Sequence, residues 1–173
     1  MPSRSDLPGQ PAREDLMSSK ADAYQDVRKQ IAAVIAGETS RTARLATASC
    51  LLREMFGERF FWTGFYEVDP AKPTELVVGP YQGTMGCLRI PFGRGVCGAA
   101  AATGETQLVE DVHAFPGHIA CDSRSNSEIV VPVRDAAGAL VAVLDIDSTE
   151  FGAFDEVDQA GLEAICGELL TID

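Results

Sequence analysis

At 173 residues the chain has the length of one domain with a sizeable core, and its 46% hydrophobic content and mean hydropathy of +0.03 fit a soluble globular protein. Fourteen Lys and Arg against 26 Asp and Glu leave a net charge of −12 and a pI near 4.5. That balance excludes nucleic-acid backbones and anionic membranes as partners, and no apolar run approaches the roughly 20 residues of a membrane span.

Residues 1–20, with Pro2, Pro8, Gly9, Pro11 and several serines, read as a disordered tail before a domain spanning 21–173. Arg4, Asp6, Arg13, Glu14 and Asp15 are followed by no apolar core, so the start is not a secretory leader and the cytoplasm is the expected compartment. From Ala21 to Ala36 the set Tyr24, Val27, Ile31, Val34 and Ile35 recurs at helical spacing, and Gly37 ends it. A second helix, capped by Thr39 or Ser40, carries Leu45, Ala48, Leu52, Met55 and Phe56 up to Gly57. Cys50 falls nearly opposite that stripe and is given no chemistry.

The aromatic run Phe60–Val68 predicts a strand, and Glu75–Gly79 and Cys87–Pro91 predict two more. GRGVCGAAAATGE then reads as a tight loop opening a short helix with Cys97 near its start, and Gln107–Val109 as a brief strand. Two strong strands follow, Glu128–Val133 and Ala139–Ile146, joined by a turn at Arg134–Gly138. Phe154–Leu170 closes the chain as a helix capped by Asp155, with Val157, Leu162, Ile165 and Leu169 inward and Cys166 as a small core residue. The expected class is therefore α+β: a central antiparallel sheet flanked by N- and C-terminal helices and covered mainly on one face.

The reaction-prone stretch is Glu110–Val133. A polar loop places one thiol, Cys121, among His113, His118, Asp122, Ser123, Ser125 and Asn126. Loops held by rigid strands are where catalytic groups collect. In VAVLDIDS, the residues Val141, Val143, Asp145 and Asp147 share one strand face. The bland alternative is a strand end emerging into solvent. Pairing across the Arg134–Gly138 turn, however, brings Glu128, Asp145 and Asp147 to one end of the sheet, close to Cys121. Crowded acids raise one another's pKa, so at least one is expected to stay protonated near neutrality.

A protonated acid beside a thiol suits a reaction in which sulfur attacks while oxygen is protonated and leaves, as sulfoxide reduction demands. The sulfenic acid so formed needs a second thiol to become a disulfide. Cys87 and Cys97 are both candidates. A helix N-terminus would give Cys97 thiolate character, though a small residue packed among alanines is an equal reading. Five cysteines without a CxxC pair make a structural disulfide framework unexpected, so any disulfide should be transient.

The runs GPYQGTMGCLRIPFGRGVCGAAA, DVHAFPGHIACDSRSNSEIVVPV, VAVLDIDS and FGAFDEVDQAGLE closely resemble the free methionine-(R)-sulfoxide reductases, which are built on a GAF domain. The resemblance spans roughly residues 22–170. It implies that Cys121 attacks the sulfoxide, that Cys87 resolves the product as a disulfide, and that Cys97 assists recycling. It implies that Glu128, Asp145 and Asp147 hold the sulfoxide oxygen and the amino group. Trp62, with Tyr66 nearby, would form the wall against the substrate methyl, and the backbone amides of Ile119, Ala120 and Cys121 would cradle its carboxylate. Free methionine (R)-sulfoxide as substrate, thioredoxin as electron donor, a homodimer, and no metal or other cofactor are further implications.

Two other readings compete. A non-catalytic GAF sensor is usually joined to an output domain, and the NKFDE-type signature of cyclic-nucleotide binders is missing. A zinc site from Cys87, Cys97, His113, His118 and Cys121 lacks the close ligand pairs that structural zinc prefers. His113 and His118 read more simply as loop residues with local hydrogen bonds.

Overall fold

The computed structural model describes residues 13–171. Its elements in chain order are α1 (Arg13–Val34), α2 (Arg41–Phe56), β1 (Trp62–Asp69), β2 (Lys72–Gln82), β3 (Arg89–Pro91), α3 (Gly95–Thr103), β4 (Gln107–Val109), β5 (Ser127–Arg134), β6 (Leu140–Ser148) and α4 (Glu156–Leu169). The six strands form one antiparallel sheet in the order β3-β2-β1-β6-β5-β4. No helix among the described residues is long and apolar enough to cross a membrane.

Alternation along the strands divides the core into two. Phe65, Ile129, Val131, Leu144 and Ile146 face α1, α2 and α4, packing on Tyr24, Val27, Ile31, Leu45, Leu52, Leu162 and Ile165. The opposite face carries Trp62, Tyr66, Val130 and Val143, covered by α3 and by neighbouring residues such as Ile90, Val112 and Ile119. So the long helices do lie on one face, but the other is not bare: the short, alanine-rich α3 fits a shallower layer, and the site forms there.

Several expectations need correction. Residues 1–12 lie outside the described part, but 13–20 are the first turns of α1 rather than a tail. Lys20 holds that end down through Asp155 (2.6 Å) and Asp158 (2.9 Å) at the start of α4. Val34 is exposed, because α1 ends at that residue. Strand β2 extends beyond the expected Glu75–Gly79 at both ends, to Lys72 and Gln82, and the Pro80 carbonyl within it accepts from the Ser49 hydroxyl.

A register shift between Val133 and Arg134 moves Val141 toward the helix-side cluster, away from the face of Val143 and Asp145. In α4, Asp158 is fully buried where Val157 was expected inward, because it closes a capping box with Asp155 and receives Tyr24, Arg59 and Lys20. Cys166 is buried in the core and Cys50 is exposed.

Candidate active site

The pairing of three strands assembles the floor of the site. Glu128 on β5 lies directly across from Asp147 on β6, which lies across from Trp62 on β1; one row further, Val130, Asp145 and Gly64 are aligned. Side chains at these positions leave the sheet on the same side, so strand register alone gathers three carboxylates and an indole. Trp62 stacks on Tyr66 and Tyr81 with centroids 5.6 and 5.1 Å apart, and its Nε1 donates to the Thr84 carbonyl at 2.9 Å. The empty space above this floor is about 500 Å³ including its mouth.

Two loops form the walls. Cys87, just ahead of β3, is joined to Cys121 by a disulfide that spans 34 residues, with Cα atoms 5.2 Å apart. The loops are also tied by the Thr84 hydroxyl, which donates to Asp122 Oδ2 at 2.7 Å. Asp122 in turn accepts from Arg124, whose hydrogen bonds hold that carboxyl far below the usual range. The Arg124 guanidinium lies 4.8 Å from the centre of the Phe61 ring. Gly86 lets the Cys87 loop approach the aromatic wall, since a Cβ there would lie 2.8 Å from the Tyr66 hydroxyl and 3.1 Å from Trp62. The third wall is the first turn of α3, where Gly95, Val96 and Cys97 line the cavity without a side-chain cap.

The electrostatics are those of a crowded, enclosed acid cluster. Burial, reinforced by Asp145 and Asp147, pushes the Glu128 carboxyl well above the ordinary range. Burial raises Asp145 to about 6, and burial together with Asp145 raises Asp147 well above its usual value, although the Ser125 hydroxyl donates to it. Asp145, which lines the cavity, has its Oδ1 buried without a hydrogen-bond partner. The Cys97 thiol donates to Glu128 Oε1 at 3.8 Å.

Cys97 is therefore not the activated thiolate that its helix position suggested. Burial and the three acids drive its pKa up, outweighing the helix terminus. Cys97, Glu128 and Asp145 also place one ligand-type atom each within 4.8 Å of one another. All three are pushed toward their protonated forms, the opposite of what metal ligation needs. The zinc set weighed from sequence does not assemble either, since Cys87 and Cys121 are spent on each other and His113 bonds Asn126 Oδ1 at 2.8 Å.

Cys87, Cys97, Cys121, Glu128, Asp145, Asp147, Trp62, Tyr66 and Ile119 thus surround one cavity or its mouth. Ala120 is exposed and its side chain does not line it. Thr84, Met85, Gly86, Arg94 and Gly95 escaped the sequence reading. They sit in a glycine-rich region whose local pattern says "loop", and Thr84 is placed by partners far away in the chain, Trp62 and Asp122. His118, expected as a loop residue with local hydrogen bonds, lines the cavity with its Nε2 3.9 Å from Glu128 Oε2.

The GAF domain family model matches residues 38–170. The free methionine-R-sulfoxide reductase of Escherichia coli (strain K12) is 47% identical over 151 residues, covering 87% of this chain and 88% of that relative. The free methionine-R-sulfoxide reductase of Saccharomyces cerevisiae is 42% identical over 132 residues, covering 75% of this chain and 73% of the relative. Among solved structures, the free methionine-R-sulfoxide reductase of Neisseria meningitidis in complex with its substrate superposes with a TM-score of 0.81 at 45% identity, over 95% of this chain and 92% of that one.

Proposed function

Because the chain belongs to the free methionine-(R)-sulfoxide reductases of the GAF-domain family, we propose that it reduces free L-methionine (R)-sulfoxide through Cys121, with Cys87 as resolving thiol and thioredoxin as electron donor. The observation that carries this reading is the Cys87–Cys121 disulfide at the mouth of a cavity floored by Glu128, Asp145 and Asp147.

In the first step the Cys121 thiolate attacks the sulfoxide sulfur while Glu128, kept protonated by burial and its acidic neighbours, gives its proton to the oxygen. The hydroxyl then passes from the substrate sulfur to the Cys121 sulfur as the new sulfur–sulfur bond breaks, so methionine leaves and Cys121 carries the oxygen as a sulfenic acid. The Cys87 thiol then attacks that sulfur, water departs, and the disulfide forms. An external dithiol supplies two electrons to restore both thiols. Cys87 and Cys121 lie partly open at the surface, which suits reduction by a protein partner.

Asp145, with its unpaired buried oxygen, suits the substrate ammonium; Asp147 helps hold the sulfoxide oxygen; Trp62 and Tyr66 form the wall against the methyl group. The amides of Ile119, Ala120 and Cys121 hold the carboxylate. Cys97, buried and protonated, assists recycling rather than the first attack. The cytoplasm as compartment and a homodimer as assembly complete the reading. NADPH consumption with thioredoxin, thioredoxin reductase and free methionine-(R)-sulfoxide tests it. Turnover is expected; none would overturn the assignment.

A further inference from the structure

We infer that His118 is a relay residue that returns a proton from solvent to Glu128 after each turnover. The inference rests on the reading of Glu128 as the acid that protonates the departing oxygen. Glu128 is only 6% exposed, and one of its oxygens faces Cys97 while the other faces His118. Once its proton has left with the oxygen, the carboxylate needs another, and water does not reach it freely. Cys97 and Tyr66 hold their protons tightly, since burial and the nearby acids push both well up. Asp145 is as buried as Glu128, and Asp147, partly exposed, is held by Ser125 and sits beside Asp145 rather than serving Glu128.

His118 is placed differently. Its side chain is 14% exposed, so it reaches from the cavity wall to the surface. The His113 ring, exposed and 6.5 Å away between centroids, stands behind it. Burial and His113 hold His118 below the ordinary imidazole range, so the ring rests neutral and releases readily any proton it takes up. The 3.9 Å from Nε2 to Glu128 Oε2 is closed by a small ring movement or a single water. The protons balance: Glu128 gives one to oxygen, the His118 imidazolium gives one to Glu128, and solvent reprotonates His118.

The test separates the first turnover from later ones. Reduced His118→Ala enzyme mixed with one equivalent of free methionine-(R)-sulfoxide should form methionine at the wild-type rate, because Glu128 starts protonated. Multiple turnover with saturating dithiothreitol should fall by roughly 10-fold to 100-fold and recover when imidazole is added to the buffer. His118→Gln, which keeps bulk but cannot relay, should behave as His118→Ala without imidazole. Unchanged multiple turnover, a slowed first turnover, or a loss that imidazole does not restore would each overturn the relay. Glu128→Gln run in parallel should lose the first turnover. If it does not, the reading of Glu128 fails whatever His118 does.

Discussion

A carboxyl group donates a proton at neutral pH only if its surroundings keep it protonated, and Glu128 has both burial and two acidic neighbours to do so. The proposed chemistry needs this raised pKa, and it fixes the sign of the pH dependence. The acid form is complete below the raised value, so sulfoxide reduction should decline as pH rises through it. Glu128→Gln should lower kcat by roughly 10²- to 10⁴-fold with a much smaller change in KM, and should abolish that alkaline decline. Stopped-flow methionine formation across pH checks both; a change confined to KM would make Glu128 a binding group only. The two thiols should separate as cleanly. Cys121→Ser should form no methionine, whereas Cys87→Ser should complete one turnover and then stall with thioredoxin. Quenched-flow product counts against enzyme concentration distinguish the two, and repeated turnover by the Cys121 variant would show that the nucleophile is misassigned.

At the scale of elements, what the chain discloses locally depends on how local its interactions are. The helical stripes of α1, α2 and α4 and the alternation in β5 and β6 were legible because burial repeats with a fixed period. The gathering of Glu128, Asp145 and Asp147 at one end of the sheet was legible because a hairpin brings its turn-distal ends together, whereas their exact register was not, since it depends on the shift between Val133 and Arg134. The Thr84–Asp122 link and the approach of His118 to Glu128 were not, since they join segments 38 and 10 residues apart across loops with no period. Asp158 belongs to the same hidden class. Its buried carboxylate accepts from Tyr24 (2.8 Å), Arg59 (2.9 Å) and Lys20 (2.9 Å), so one side chain ties α1, the turn before β1 and α4. Burial alone would raise its pKa, but the hydrogen bonds from Arg59 and Lys20 outweigh that and hold it low. A depressed folded pKa gives stability that is present above the unfolded value of about 3.9 and lost as pH falls through the folded one. Asp158→Ala should cost about 3 kcal/mol by leaving its cationic partners unpaired. Urea unfolding at neutral pH reads the loss. The difference from wild type should shrink toward pH 3, and a difference constant over that range would show that packing, not charge, is at stake.

At the scale of the whole molecule, the two faces of the sheet have separate tasks. The long helices on one face bury Phe65, Leu144 and Ile146 and make the sheet rigid. That rigidity is what allows the opposite face to hold three acids together at a cost no flexible surface could sustain. The cavity on that second face is closed by loops and α3 on several sides, with the disulfide at its rim, so a substrate must fit within it rather than lie across it. Enclosure of this kind sets specificity as firmly as any single contact, because a polar group that is buried and left unpaired costs more than a missing apolar contact. In the proposed binding mode the unpaired Asp145 Oδ1 receives a free ammonium, and an acetylated nitrogen carries no charge to offer it. Free methionine-(R)-sulfoxide should therefore be preferred over its N-acetylated, amidated analogue by at least about 10²-fold in kcat/KM. Asp145→Asn should narrow that ratio by weakening the free amino acid more than the blocked one. Competition assays with both substrates measure the ratio directly, and equal rates on the two would mean that the cavity opens far enough for its walls to play no part in selection.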